Sequence, residues 1–457
     1  MLTPHALYPL LDALLQAGGF VPHATARHAV ARLLALVLVA QDLRPSAILR
    51  ILPAPWSTCA RARFASVRRA RHRAALASGA LGPTLLRAAL AWARWAGHGP
   101  APGEPWLVCL DSVRCGRWEV FVLALGLPGR ALPVLWMVLP YPWPKGRLRP
   151  AVLALVRRLL EAWPDHQRPC LLADRAFPSK QLFTLLAAFG ASCVVRVQAR
   201  HYVTRHTGSI DRVGAIFDAT DPSVIHHEAV AFGDVTDSTW GRLVVAGQEL
   251  LVVPAHQCGP ASFQARARQR TKRHKDRTRR QAGTTQGAGR DDRLALFVLG
   301  ADPFEALRWY GRRWAIEGTF RDLQGGWDGQ HGWHFDAVVA TCTTEAEVDR
   351  LTGLWALATL VQLGLGLSSG AASAPVPVRQ ARQGWATTPR VSWWWRGACL
   401  LGCPDPVLTR WVRRTLMAAA TTLREAPPAI LPEDVTLRPG PRKPRPAARP
   451  EATEAAA

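Results

Sequence analysis

Nothing in the chain is spaced like a zinc or dithiol site. The nine cysteines include no Cys-x2-Cys pair, and Cys399 and Cys403 form a lone Cys-x3-Cys with no second pair or His pair to complete a tetrahedron. An odd, irregular set argues for free thiols in a reducing compartment. The N-terminus has no basic segment followed by an apolar stretch and a small-residue cleavage site, so secretion is not expected. Long apolar runs are also missing. The longest, Leu351 to Leu367, is interrupted by Thr352, Thr359 and Gln362, sits at the short limit for a membrane span and reads as a buried core helix, with no membrane partner expected. No internal repeat is visible. Above all, acid is scarce: 33 Asp and Glu face 57 Lys and Arg, a net charge of +24. Arg dominates the basic set, keeps its charge at any pH and forks onto phosphate. Such an excess points to a polyanion, with nucleic acid first. A GC-rich genome, whose codons favour Arg, Ala, Pro and Gly, is the compositional alternative.

What is present organises itself along 457 residues, enough for two to four domains. Residues 1–100 read as a helical domain that binds DNA. Leu7, Leu10, Leu11, Leu14 and Leu15 recur at helical spacing, and Arg61, Arg63, Arg68, Arg69, Arg71 and Arg73 give a basic stretch, alternatively a solvated helix face. From residue 101 the pattern changes. Trp106–Leu110 is an apolar strand leading into Asp111, followed by strands at Trp118–Leu125 and Ala131–Leu139. A helix follows Pro150, a strand at Pro169–Ala173 leads into Asp174, Ser179 caps another helix, and Cys193–Val197 is a fifth strand. This α/β order, three strands and then alternation, resembles the ribonuclease-H-like core of polynucleotidyl transferases. That core is expected over 101–203 and 294–370, with a β-rich insertion at 204–293. Within the insertion Arg266 to Arg280 holds nine cations, among them Arg270, Lys272, Arg273 and Lys275, and one Asp. Asp302 and Pro303 open a long helix through Leu323. Residues 371–425 form a C-terminal helical region that begins with a Pro- and Trp-containing loop, and 426–457 a disordered tail.

Two aspartates delivered by apolar strands are separately weak signals, since aspartate often ends a strand as a turn former. The helix after residue 303 adds Tyr310, Arg313 and Glu317 on one face, a pattern that exposed charges on an amphipathic helix also produce. His331 and His334, at His-x2-His spacing, lack a third ligand and read as surface or DNA contacts.

The segment Tyr310 to Gln324 resembles the Tyr-x2-Arg-x3-Glu-x6-Lys signature of the insertion-sequence family-four DDE transposases, and Arg313-Trp314-x-Ile316-Glu317-x-x-Phe320 is similar to its core. Leu110-Asp111-Ser112 and Leu172-Ala173-Asp174-Arg175-Ala176-Phe177 resemble the family's two aspartate motifs. The resemblance covers about residues 100–367 and departs at the lysine, which is Gln324 here, with Arg321 one turn earlier as a partial substitute. It implies a cut-and-paste transposase with Asp111, Asp174 and Glu317 as catalytic metal ligands. Two Mg2+ ions, or Mn2+, would lie about 4 Å apart between them. Tyr310 and Arg313 would hold a phosphate, and Trp240, the only tryptophan of the insertion, would either shelter an unstacked base or anchor the small lobe's core. The partners implied are double-stranded DNA, as element ends and target, and a second copy of the chain in a synaptic dimer, in a bacterial-type cytoplasm at the nucleoid. A DNA-binding protein that has lost turnover and a non-transposing nuclease of the same fold are the rivals.

Overall fold

A computed structural model describes residues 2–52, 73–127, 129–164, 168–221, 224–233, 239–247, 293–324, 332–369, 376–380, 384–388, 393–402 and 405–425. Arg61, Arg63, Arg68, Arg69, Arg71, the basic run Arg266–Arg280 with Arg270, Lys272, Arg273 and Lys275, His331, Cys403 and the 426–457 tail lie outside them. The fold is mixed α/β, built on a ten-stranded sheet.

The sheet starts as an antiparallel meander of β1 (Leu107–Cys115), β2 (Trp118–Leu127) and β3 (Arg130–Pro140). Gly116, at φ +60, takes the first position of the tight β1–β2 turn, a conformation open to glycine without a Cβ clash. Two strands parallel to β1 follow, each reached through a helix: α5 (Leu148–Glu161) precedes β4 (Cys170–Ala173), and α6 (Lys180–Ala188) precedes β5 (Ser192–Arg196). Nearly every residue of β4 and β5 is buried, as a parallel strand covered on both faces requires.

The described part of the insertion is β-rich, but its strands do not form a sheet of their own. β6 (Tyr202–Arg205), β7 (Ile210–Arg212), β8 (His226–Phe232) and β9 (Trp240–Gly247) continue the same sheet through β10 (Arg293–Leu299), in the order β3-β2-β1-β4-β5-β10-β9-β8-β6-β7. The reason is the free edge of β5. β10 pairs antiparallel with it, from Leu299 opposite Cys193 to Leu296 opposite Arg196, and offers its other edge to β9.

The helices from both ends of the chain share one core with the sheet. α1 (Pro4–Ala17) packs on α2 (Ala24–Ala40) and on α13 (Pro406–Glu425), while α2 and α4 (Ser78–Trp95) lie against α11 (Glu345–Ser368). α11 contains the Leu351–Leu367 run. It is long and apolar enough to cross a membrane by length and composition, and 94% of its most apolar stretch is buried inside the protein. Where a loop was expected, Val376–Gln380 and Gly384–Thr388 pair as a hairpin, in line with the β-branched content of both segments.

One helix matters most for the site. α9 (Trp314–Gln324) is clipped to the start of β3: the Thr319 hydroxyl accepts from Ala131 N (2.9 Å) and lies 2.8 Å from Ala131 O, and Arg130 forks onto buried Asp322 (2.5 Å). Breaking a buried ion pair from one side strands the other charge, at about 3–5 kcal/mol. Asp322→Ala is therefore expected to lose about that much in denaturant unfolding, and a loss under about 1 kcal/mol would show that Arg130 finds water instead.

Candidate active site

The register of two strands places the first two carboxylates. Leu110 of β1 pairs with Ala173 of β4, so the next residues, Asp111 and Asp174, stand at one level on neighbouring parallel strands about 4.8 Å apart. Asp111 is not at a strand end as the apolar pattern suggests. β1 runs on to Cys115 because it pairs with β2 down to Cys115 opposite Trp118, and only β4 stops. Asp111 thus sits where β1 loses its β4 neighbour and keeps β2. Arg196 comes next along that rim, its Nη1 3.9 Å from Asp174 Oδ1.

The third carboxylate arrives on helices. The long helix expected from Asp302 is two, α8 (Pro303–Arg312) and α9, stepped at Arg313. Arg313 keeps an αR backbone, but the Arg313 and Ile316 amides bond three residues back instead of four, tightening the turn. Tyr310 and Arg313 still converge on the carboxylates. The buried Tyr310 hydroxyl donates to Asp174 Oδ1 at 3.3 Å. Arg313, with a side chain only 5% exposed, donates through Nη1 to Asp111 Oδ2 at 3.0 Å and through Nη2 to Glu317 Oε1 at 2.7 Å. One guanidinium thus holds Asp111 and Glu317 by its two prongs, a geometry that lysine lacks. Its third donor, Nε, is buried without a partner among the described residues.

The electrostatics follow from this crowding. Burial pushes Asp111 up to about 6; Arg313 and the Ser112 amide, which donates to Oδ1 at 2.8 Å, pull the other way, and Glu317 and Asp174 add to the rise. Burial also holds Tyr310 above its usual value, so it remains a phenol that donates. For Arg313, burial disfavours the cation, yet the surrounding Tyr310, Glu317, Asp111 and Asp174 outweigh it and raise the pKa.

These donors suit a hard divalent cation: oxygen ligands only, and an aspartate whose ionisation is opposed chiefly by burial. Among the described residues no three ligand-type side chains gather about one point. Arg313 stands between Asp111 and Glu317 and takes both. Arg313 supplies the positive charge between these two carboxylates.

No protein-family model matches the chain, and no curated protein matches it either.

Other expected residues fall in different places. Gln324 is exposed at the end of α9, and Arg321 is half-buried, its pKa lowered by burial and by Arg130. Arg73 is half-buried beside a single 3-10 turn (Ala74–Leu76), and His334 precedes a short helix (Phe335–Val339) in the left-handed region. Trp240 fits neither reading offered for it. It is 45% exposed, so it is no core anchor. It also starts β9, and β9 runs parallel to β4 and β5 through β10, which puts Trp240 at the far end of the sheet from the carboxylate rim. Four residues along and three strands across make about 20 Å. The aromatic beside the rim is instead Trp314, 46% exposed, next to Arg313 and three residues before Glu317. It stood inside the motif and was passed over because its neighbours carried the charge. Arg196 was missed because nothing in β5 marks its last residue until the register with β4 is known.

Proposed function

We propose that the chain is a metal-dependent DNA transposase with a ribonuclease-H-like core, acting on the ends of an insertion sequence and using Asp111, Asp174 and Glu317. The observation that carries this is the pair of links just described: strand register sets Asp111 beside Asp174, and one guanidinium ties Asp111 to Glu317. Three carboxylates from positions 63 and 143 residues apart are brought to one rim. The sheet order β3-β2-β1-β4-β5, with the first three strands antiparallel and the next two parallel to β1, supports the fold half of the reading.

Bound Mg2+ or Mn2+, held by Asp111, Asp174 and Glu317, would supply Lewis acidity at the phosphodiester. The chain's own side chains do the positioning. Tyr310 fixes Asp174 through its phenol, and Arg196 faces the same carboxylate oxygen. Arg313 keeps its charge at every pH and holds Asp111 and Glu317 in place with its two terminal nitrogens. Trp314 offers an open aromatic face against which an unpaired base can stack. The +24 charge supports double-stranded DNA as the partner. Gly247 and Arg293, the two ends of the segment holding Arg266–Arg280, are paired at the carboxylate end of the sheet. A synaptic homodimer at the bacterial nucleoid completes the reading.

The rival, a binding protein without turnover, draws on Gln324. Position 324 is exposed on the same helix stripe as Trp314, Glu317 and Arg321. Gln324→Lys is therefore expected to fold normally and to equal or exceed the parent in Mg2+-dependent nicking of element ends. A drop in melting temperature would mark the position as structural.

A further inference from the structure

On the opposite face of the sheet from α9, a cleft of about 460 Å³ opens between the start of α5 and the start of α6. Its walls are Gly146 to Leu153 on one side and Ala176 to Leu182 on the other. It begins one turn past the rim: Phe177 lines it, and the Phe177 amide donates to the Asp174 carbonyl at 3.1 Å.

The faces are fixed by pairing. Asp111 shares its face with Val122 and Trp136, and the Trp136 indole donates to Asp349 on α11. Ser112 and Phe121 point the other way, where Phe121 meets Phe177 and Trp143 edge-on at 6.3 and 6.2 Å. The segment leading to α5 is anchored on that side. Trp143 packs edge-on against Tyr141 (5.3 Å), and Arg114 lies over the Tyr141 ring at 3.7 Å.

The two segments that build this cleft, residues 140–153 and 175–184, contain Lys145, Arg147, Arg149, Arg175 and Lys180 and no carboxylate. Lys145, Arg147 and Arg149 are exposed and, among the described residues, form no ion pair. Three exposed cations within five residues, with no carboxylate in either wall, give this side of the cleft a positive field that attracts an anion. The first turn of α5 has no side-chain cap, which adds unsatisfied amides on the same side.

We propose that this cleft grips the sugar-phosphate backbone of a second DNA duplex, the target, opposite the face on which α9 presents Trp314 and Gln324 to the element end. The inference rests on the transposase reading. Strand transfer needs two duplexes to meet at one set of carboxylates, and the sheet rim has two faces. The 3′-hydroxyl of the element end attacks a target phosphodiester, forms the new P–O bond and expels the target's 3′-oxygen, which leaves with a proton. The balance is that of a transesterification and requires no further reactant. Backbone contacts by Lys145, Arg147 and Arg149 would set the target's position without reading its sequence.

The test is the full-length triple variant Lys145→Ala, Arg147→Ala, Arg149→Ala, checked for an unchanged melting temperature. With non-specific duplex, the slope of log affinity against log salt is expected to fall by about two to three, since each lost phosphate contact withholds roughly 0.9 of a counterion. With pre-cut element ends, joining to a plasmid target should drop at least tenfold, while Mg2+-dependent nicking of uncut ends stays within twofold. An unchanged slope overturns the cleft. An equal fall in nicking and joining assigns it to the element's own end and overturns the target assignment. Wild-type protein that neither nicks nor joins DNA overturns the transposase reading instead, and the salt slope alone then decides whether the cleft holds backbone.

Discussion

Asp111→Asn is expected to lose Mg2+-dependent nicking and strand transfer by about a thousandfold or more, because a metal site supplies several kcal/mol to a phosphodiester transition state and each 1.4 kcal/mol is a factor of ten. Asp174→Asn and Glu317→Gln should behave alike, since each removes one anionic ligand from the same rim. What separates this from simple unfolding is the sign of the stability change. Burial raises Asp111 to about 6, so its ionised form is a burden to the metal-free protein at neutral pH. An isosteric amide has a single acceptor oxygen, so it keeps either the Arg313 or the Ser112 bond, and the charge it no longer carries offsets the bond it loses. Asp111→Asn is thus expected to melt no earlier than the parent at pH 7.5 without metal, and to bind element ends with unchanged affinity. Residual nicking above about one-tenth of wild type would sink the assignment of Asp111 as a ligand. Early melting would mean that the carboxylate is held for the fold.

How much of this was legible beforehand depends on the range of the interaction that set it. The strand-helix order from Leu107 to Arg196 follows from local apolar runs and turn residues, and it was read close to where the structure has it. Tyr310, Arg313 and Glu317 share a face by helical spacing alone, and a tightened step at Arg313 does not move them off it. Other features depended on pairing between distant segments. That Asp111 lies mid-strand is decided by β2, not by β1's own sequence. That the insertion extends the sheet is decided by the vacant edge of β5 and the antiparallel entry of β10. Trp240 was assigned by being the one tryptophan in its segment, an argument with no geometry in it, and register then carried it to the wrong end of the sheet. Arg196 and the cleft beside Phe177 carry no sequence motif and become visible only when β4, β5 and α6 are set side by side.

Arg313→Met tests the guanidinium that joins the carboxylates, and its expected effect on stability is large and depends on pH. Met fills a similar volume and keeps the apolar stem, but it leaves Asp111 and Glu317 facing one another with no cation between them. Removing one partner of a buried ion pair costs about 3–5 kcal/mol. The loss should depend on pH in a stated direction. In the parent, Asp111 has a folded pKa near 6, above its unfolded value. The stability linked to its proton is complete below pH 4 or so and is lost as pH rises through 6. Arg313 is the strongest influence holding that pKa down. Without it the folded pKa climbs further and the falling limb moves to higher pH, so the variant should be near parental stability at pH 5 and far below it at pH 8. Nicking should be lost along with it, since the group that sets Asp111 and Glu317 relative to one another is gone. Mg2+ distinguishes a site from a brace: a cation bound between Asp111, Asp174 and Glu317 replaces the missing charge, so millimolar Mg2+ should restore most of the pH 8 melting temperature without restoring nicking. A deficit equal at pH 5 and pH 8 and indifferent to Mg2+ would show that Arg313 serves packing alone.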